Sequence, residues 1–216
     1  MHSVERLIPV LEKAPLVSQA GFSFRVIADR WRASPLSAIG AFERGGRFNA
    51  PRMFPVLYSA DSQLTALLEV EALFLDAKER LRGVPRNPDL ILTLDCTLLR
   101  VLDLTVENLY ADLGTSHEEL ISNTPSRFIA NARNQETPTQ QLGQACFRSG
   151  NISALKVPSA VNPQGYCLDI LVESLVVGER VAVLDQNGLL QAEVTGLIPK
   201  PIGLHSSKAS PSTSAR

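Results

Sequence analysis

The sequence predicts a single-domain α+β fold of mixed β-sheets with flanking helices. Three observations predict it. Strand-like runs recur at residues 22–27, 53–59 and 89–95. Segments of helical period and composition lie around them, at residues 4–13, from 61 or 62 to about 82, and from 137 to 150. The chain has 216 residues, 44% of them hydrophobic, which suits one sizeable core or at most two small ones.

Ser3 is placed to cap the first helix, with Leu7, Ile8 and Leu11 on one face, and Pro15 ends it. The strand over 22–27 alternates as Phe22-Ser23-Phe24 and then runs apolar, so Arg25 shares a face with Ser23. Residues 28–49 are loop-rich, with a short helix around 37–42. A second strand covers 53–59. Asp61 or Ser62 then caps a helix reaching about residue 82. Its apolar residues (Leu64, Leu67, Leu68, Val70, Leu73, Phe74 and Leu75) go nearly all round, which predicts burial. Both of its acids, Glu69 and Glu71, are therefore candidates for enclosure. Thr65, Ala66 and Ala72 leave more room beside Glu69, but the residues alone leave the choice open.

A turn at 85–88 precedes strands over 89–95 and 99–104. Helical pieces follow near 118–121 and 126–133. Thr137-Pro138-Thr139 opens a helix that Gly150 closes. Residues 154–157 read as a strand, 158–163 as loop and 167–176 as β-like. Asp185-Gln186-Asn187-Gly188 signals a hairpin between 181–184 and 189–194. Residues 1–20 read as a helical extension, 21–200 as the main domain, and 201–216 as a disordered tail.

Composition excludes several classes. A formal net charge of −1 argues against a whole-surface nucleic-acid binder. Arg25, Arg30, Arg32, Arg44, Arg47 and Arg52 nevertheless form a local anion-attracting segment, opposed only by Asp29 and Glu43. No recognition helix or set of stacking aromatics accompanies it, so nucleic acid is not the expected partner. Cys96, Cys146 and Cys167 are far apart and form no C-x-x-C pair, which points to reduced thiols. Three histidines, two of them near the termini, argue against a multi-histidine metal site. Residues 1–6 lack a secretory pattern, and no apolar run approaches a membrane span. A cytoplasmic protein without a metal or membrane association is expected.

The chemistry concentrates in Gly45-Gly46-Arg47-Phe48-Asn49, with Tyr58 and Glu69 close behind. Paired glycines let the backbone approach a ligand. Arg47 offers a planar fork of donors for phosphate or carboxylate. An arginine, an aromatic ring and a carboxylate suit a ligand with anionic and cationic parts. Phe24-Arg25-Val26, Pro35-Leu36-Ser37, the Gly-Gly-Arg block, Val56-Leu57-Tyr58-Ser59 and Leu67-Leu68-Glu69-Val70 stand in order. The segment from Thr137-Pro138-Thr139-Gln140 to Leu155-Lys156-Val157-Pro158-Ser159 follows them. Together these blocks resemble the RES-domain family over residues 22–162. The chain departs from it at Val26, where relatives often carry an aromatic residue, and over 162–198.

The resemblance implies a fold like that of the ADP-ribosyltransferase toxins and a site for NAD as substrate. It implies cleavage of the nicotinamide–ribose bond, with ADP-ribose passed to phosphate, water or a protein acceptor. It also implies a toxin role, opposed by a small helical antitoxin. Carried onto this chain, Glu69 stabilises the sugar cation, and Arg25 and Arg47 grip the pyrophosphate. Tyr58 stacks on the nicotinamide. Ser159 orients the ribose or the attacking phosphate, while Gly46 and Asn49 shape the arginine loop. Glu71 and Arg44 are the alternatives to test beside them.

Overall fold

The computed structural model describes residues 1–75, 78, 80–84, 89–122, 125–133 and 135–197. The predicted turn at 85–88 and the predicted tail at 201–216 lie outside the described residues. The strands are β1 (Val17–Ala28), β2 (Val56–Ala60), β3 (Leu73–Leu75), β4 (Leu81–Gly83), β5 (Asp89–Asp103), β6 (Ala154–Pro158), β7 (Tyr166–Leu171), β8 (Arg180–Val183) and β9 (Glu193–Thr195). The helices are α1 (Val4–Leu11), α2 (Ile39–Arg44), α3 (Gln63–Glu69), α4 (Tyr110–Leu113), α5 (His117–Ile121), α6 (Pro125–Ala132) and α7 (Pro138–Ser149). The architecture is a mixed sheet with flanking helices.

The main sheet runs β1-β2-β7-β6-β5-β8-β9, and β1 also pairs along β5. The first five of those strands thus form a closed circuit of pairings. Among the described residues only β5–β6 is parallel in this sheet; its other pairs are antiparallel. Alternation along the strands sorts side chains into two cores. Leu57, Leu94, Cys96, Leu98, Ala154, Leu168 and Ile170 belong to one. Val56, Leu155, Val157, Cys167 and Leu171 belong to the other, with Leu7 and Leu11 of α1 and Leu142 and Cys146 of α7. The site forms beside this helix-covered core.

Helix α7 is specified locally. Thr137 accepts a hydrogen bond from the Gln140 backbone N–H, and the Gln140 side chain accepts one from the Thr137 N–H. Gly150 closes the helix in the left-handed region at φ 70°. Gly143 lets this helix lie against the Phe48 backbone: a Cβ there would stand 1.7 Å from the Phe48 carbonyl oxygen.

Four expectations are corrected. The helix predicted to reach residue 82 stops at Glu69. Ser62 caps its start by accepting from Thr65 N–H. Its end is a Schellman turn, in which Ala72 N–H donates to Leu67 O and Glu71 N–H donates to Leu68 O. Glu71 takes the left-handed conformation, φ 57°, where glycine is usual, so no glycine marked the stop. Leu73–Leu75 then pairs with Leu81–Gly83; pairing outweighs the weak preference of Leu and Ala for helix. Next, the Asn-Gly hairpin is a wider connection. Ala182 pairs with Glu193, so residues 183–192 lie between the paired ends, and Asp185 binds the Asn187 and Leu190 N–H groups instead. Finally, the strands predicted over 89–95 and 99–104 merge into β5, which ends at Asp103, because β1 pairs with it from Asp89 to Val101 across one register shift. The β-like run 167–176 divides after Leu171 into a 3-10 turn at Val172–Ser174.

Candidate functional site

Four segments converge on a cavity of about 670 Å³. They are β1 with Phe24 and Arg25, the α2–glycine loop with Arg44 to Arg47, β2 with Tyr58, and α3 with Glu69. A fifth segment, β7, contributes Cys167 and Asp169. The size falls within the range of ordinary small-molecule sites.

The glycine loop is built by close contact. Gly45 has φ 72°, and a Cβ on Gly46 would lie 2.2 Å from the Tyr58 hydroxyl oxygen. Tyr58 donates to Asn49 Oδ1 at 2.7 Å and accepts from the Phe48 N–H at 3.1 Å. Asn49 is fully buried; its amide donates to Ala41 O and Phe54 O. Gln140 of α7 donates to Gly46 O and Asn49 O. The loop is therefore fixed from one side by the tyrosine and from the other by α7. Asn49 stands behind the loop and not on the cavity wall.

Glu69 is the most heavily bonded wall residue. Its Oε1 accepts from Ser159 Oγ at 2.7 Å, Ala160 N–H at 3.2 Å and Cys167 Sγ at 3.3 Å. Its Oε2 accepts from Arg47 Nη2 at 3.0 Å. Burial acts to raise the carboxyl, but the Arg47 charge and the hydrogen bonds from Ser159, Cys167 and Ala160 outweigh it. They hold Glu69 below the ordinary glutamate value, and so ionised. Burial acts to lower the Arg47 guanidinium, and the surrounding acidic groups, Glu69 first, hold it above its usual value.

Arg25 reaches across β2: Nη1 donates to Tyr58 O at 2.8 Å and Nη2 to Ser37 O at 3.0 Å. Its Nε is buried without a hydrogen-bond partner. Burial lowers its guanidinium to about 10, which still leaves a full positive charge at neutral pH. Ser159 sits differently from its expected place at the substrate. It is 4% exposed, its one proton goes to Glu69, and its oxygen accepts the Val161 and Asn162 N–H groups. Its geometry is that of a positioning residue for the glutamate. Arg44 and Glu71, the two alternatives, both lie on the cavity wall.

Asp169, Cys167 and Gln140 were not singled out from the sequence. Asp169 did carry a signal: an acid inside the apolar run Tyr166-Cys167-Leu168-Asp169-Ile170-Leu171. It is 1% exposed. Gln140 had one too, as the third helical residue after a capping threonine. Among the described residues, no cluster of three or more His, Cys, Asp or Glu is arranged to hold a metal ion. No described helix is long and apolar enough to cross a membrane.

Fold and cavity together define a mixed α/β domain whose cleft joins arginines to a bonded, ionised glutamate. The chain belongs to the RES domain family, whose model matches residues 23–188. It is similar to the NAD(+) phosphorylase MbcT of Mycobacterium bovis and of Mycobacterium tuberculosis. Identity is 34% over 85 residues, covering 39% of this chain and 46% of each relative. The match thus spans about half the length of the curated relatives. The fold is similar to the crystal structure of the M. tuberculosis MbcT–MbcA toxin–antitoxin complex. The TM-score is 0.61 at 20% identity, over 88% of this chain and 93% of that one.

Proposed function

We propose that this protein consumes NAD, breaking the nicotinamide–ribose bond and passing ADP-ribose to phosphate. The single observation that carries this reading is the ionised Glu69 on the cavity wall, held by Arg47, Ser159 and Ala160. When the bond breaks, its electron pair moves to the ring nitrogen, whose positive charge is neutralised. Nicotinamide therefore leaves without needing an acid. The ribose carbon becomes cationic, and Glu69 is a fixed negative charge to stabilise it. A phosphate oxygen then bonds to that carbon, and the phosphate's proton passes to solvent. Arg25, Arg44 and Arg47 supply charge for the pyrophosphate and the incoming phosphate. Tyr58, with its hydroxyl tied to Asn49, offers a ring face to the base.

The finer fold assignment belongs to the same reading: the closed circuit of strands is an ADP-ribosyltransferase-like arrangement. So does the biological role, a cytoplasmic toxin restrained by an antitoxin that covers the cavity, by analogy with the MbcT–MbcA complex. The name of the similar MbcT proteins favours phosphate over water or protein as acceptor. The test is incubation of pure protein with NAD and phosphate, with products identified by mass spectrometry. Phosphorylated ADP-ribose and free nicotinamide are expected, and Glu69→Ala is expected to lower both by about a thousandfold. Unchanged NAD from the wild type, with or without phosphate and cell extract, would falsify the reading.

A further inference from the structure

Asp169 is a wall residue that the reaction above leaves without a role. In the antiparallel registers it stands opposite Tyr58 of β2 and Leu155 of β6. Directly opposed residues share a face of the sheet, so Asp169 and Tyr58 lie side by side in the wall. The Asp169 Oδ1 is buried and has no hydrogen-bond partner among the described residues. Arg47 does not supply one: its Nη1 donates to Pro158 O and its Nη2 to Glu69. A buried polar atom without a partner is destabilising, so this arrangement calls for a ligand that completes it.

We propose that Asp169 is a specificity residue of the cavity, presenting its carboxyl to the carboxamide of the nicotinamide base. The proposal rests on the cavity being an NAD site. The other parts of that substrate have partners: the arginines suit the phosphates, and Glu69 suits the ribose. The base is left for the Tyr58 side of the cavity, and its one polar substituent is an amide. An amide carries both a donor and an acceptor. A carboxyl in its acid form carries the same two functions in reverse. The two pair through two hydrogen bonds, and Oδ1 gains the partner it lacks.

The surroundings keep the proton in place. Arg47, Glu69, Cys167 and Tyr58 are the titratable groups around Asp169 on the cavity side. Burial, opposed by Arg47 and reinforced by Glu69, pushes the Asp169 carboxyl up to about 8. A base carrying a carboxylate in place of the amide offers no donor, and brings a second negative charge beside Glu69. Such a substrate is rejected.

The experiment compares NAD with nicotinic acid adenine dinucleotide, for both turnover and calorimetric binding. Wild type is expected to favour NAD by about a hundredfold in kcat/KM, within the discrimination a hydrogen-bonding site achieves. Asp169→Asn always carries an N–H donor and removes the acid; it is expected to cut that preference at least about tenfold. Asp169→Leu, which can pair with neither base, should raise KM for NAD about tenfold with less change in kcat. Thermal melting of both variants establishes that each is folded. If wild type consumes NAD but Asp169→Asn keeps the wild-type preference, the Asp169 role is overturned and the NAD reading survives. If wild type neither binds nor consumes either dinucleotide, both are overturned.

Discussion

Among the described residues, one arginine–glutamate pair is buried and another is half-buried, and the two do different work. Arg100 and Glu179 are 3.6 Å apart, with side chains 8% and 0% exposed. Arg47 and Glu69 are 3.0 Å apart, with side chains 10% and 19% exposed. Glu179 is closed in by donors on both oxygens. Oε1 accepts from Leu99 N–H, Arg100 N–H and Ser153 Oγ, and Oε2 from Val176 N–H. Arg100 of β5 donates to Gly150 O and Ser174 O, joining two connections to the strand. This pair adds side-chain bonds to the backbone bonds that already tie these connections together. Glu69 likewise has three donors on Oε1 and one on Oε2, but it is 19% exposed and faces a cavity. The lesson is that burial and pairing do not mark a functional acid. The distinguishing feature is bonding that fixes the group while leaving a face open to a ligand.

The largest expected effect separates the two glutamates outright. Glu69→Ala should lower NAD consumption by about a thousandfold, the size expected for removing charge stabilisation of a transition state. It should leave a folded protein by circular dichroism. Glu179→Ala should do the reverse, costing about 3–5 kcal/mol in denaturant unfolding because Arg100 is left buried and unpaired. Comparable stability losses in the two variants would erase the distinction.

Next in size is a pH effect at the open pair's neighbour. Because the Asp169 carboxyl is raised to about 8 in the folded state, its contribution is fully present below about pH 4. That contribution is lost as pH rises through about 8. The melting temperature of Asp169→Asn should therefore gain on wild type by several degrees between pH 4 and 8, and run parallel above. A gap independent of pH contradicts the protonated acid.

Gly143→Ala tests the support behind the arginine loop. The new methyl would strike the Phe48 carbonyl, so α7 or the loop must move, at about 1–3 kcal/mol by thermal unfolding. Loss of the Gln140 contacts to Gly46 and Asn49 should reduce activity as well. Smallest is Glu71→Gly. It relieves a left-handed non-glycine residue at the end of α3, and should stabilise the protein by about 1 kcal/mol. A destabilised variant would mean that the Glu71 side chain holds the cavity rim.

The arginine loop, Tyr58 and Glu69 were legible because they lie within one short segment and follow a family's order. Ser159 was legible as a member of the set but not in its part. Only the fold shows its proton going to Glu69 across 90 positions of chain. The overlong helix failed for a related reason. Ser62 announces the start through its own hydroxyl, whereas the stop depends on Glu71 accepting a conformation that its residue type disfavours. Leu73–Leu75 becomes a strand only because Leu81–Gly83 comes alongside.

By itself the sequence determined what acts over a turn or two of chain. The Thr137–Gln140 capping box, the Gly45-Gly46 bend, the strand alternation and the cationic segment need no distant partner. The tertiary structure alone decided the closing of β1 onto β5, the lowered Glu69 carboxyl and the raised Asp169 carboxyl. The physical reason is desolvation. Whether a carboxyl keeps its proton depends on which charges and donors replace water around it, and residues remote in sequence supply them here.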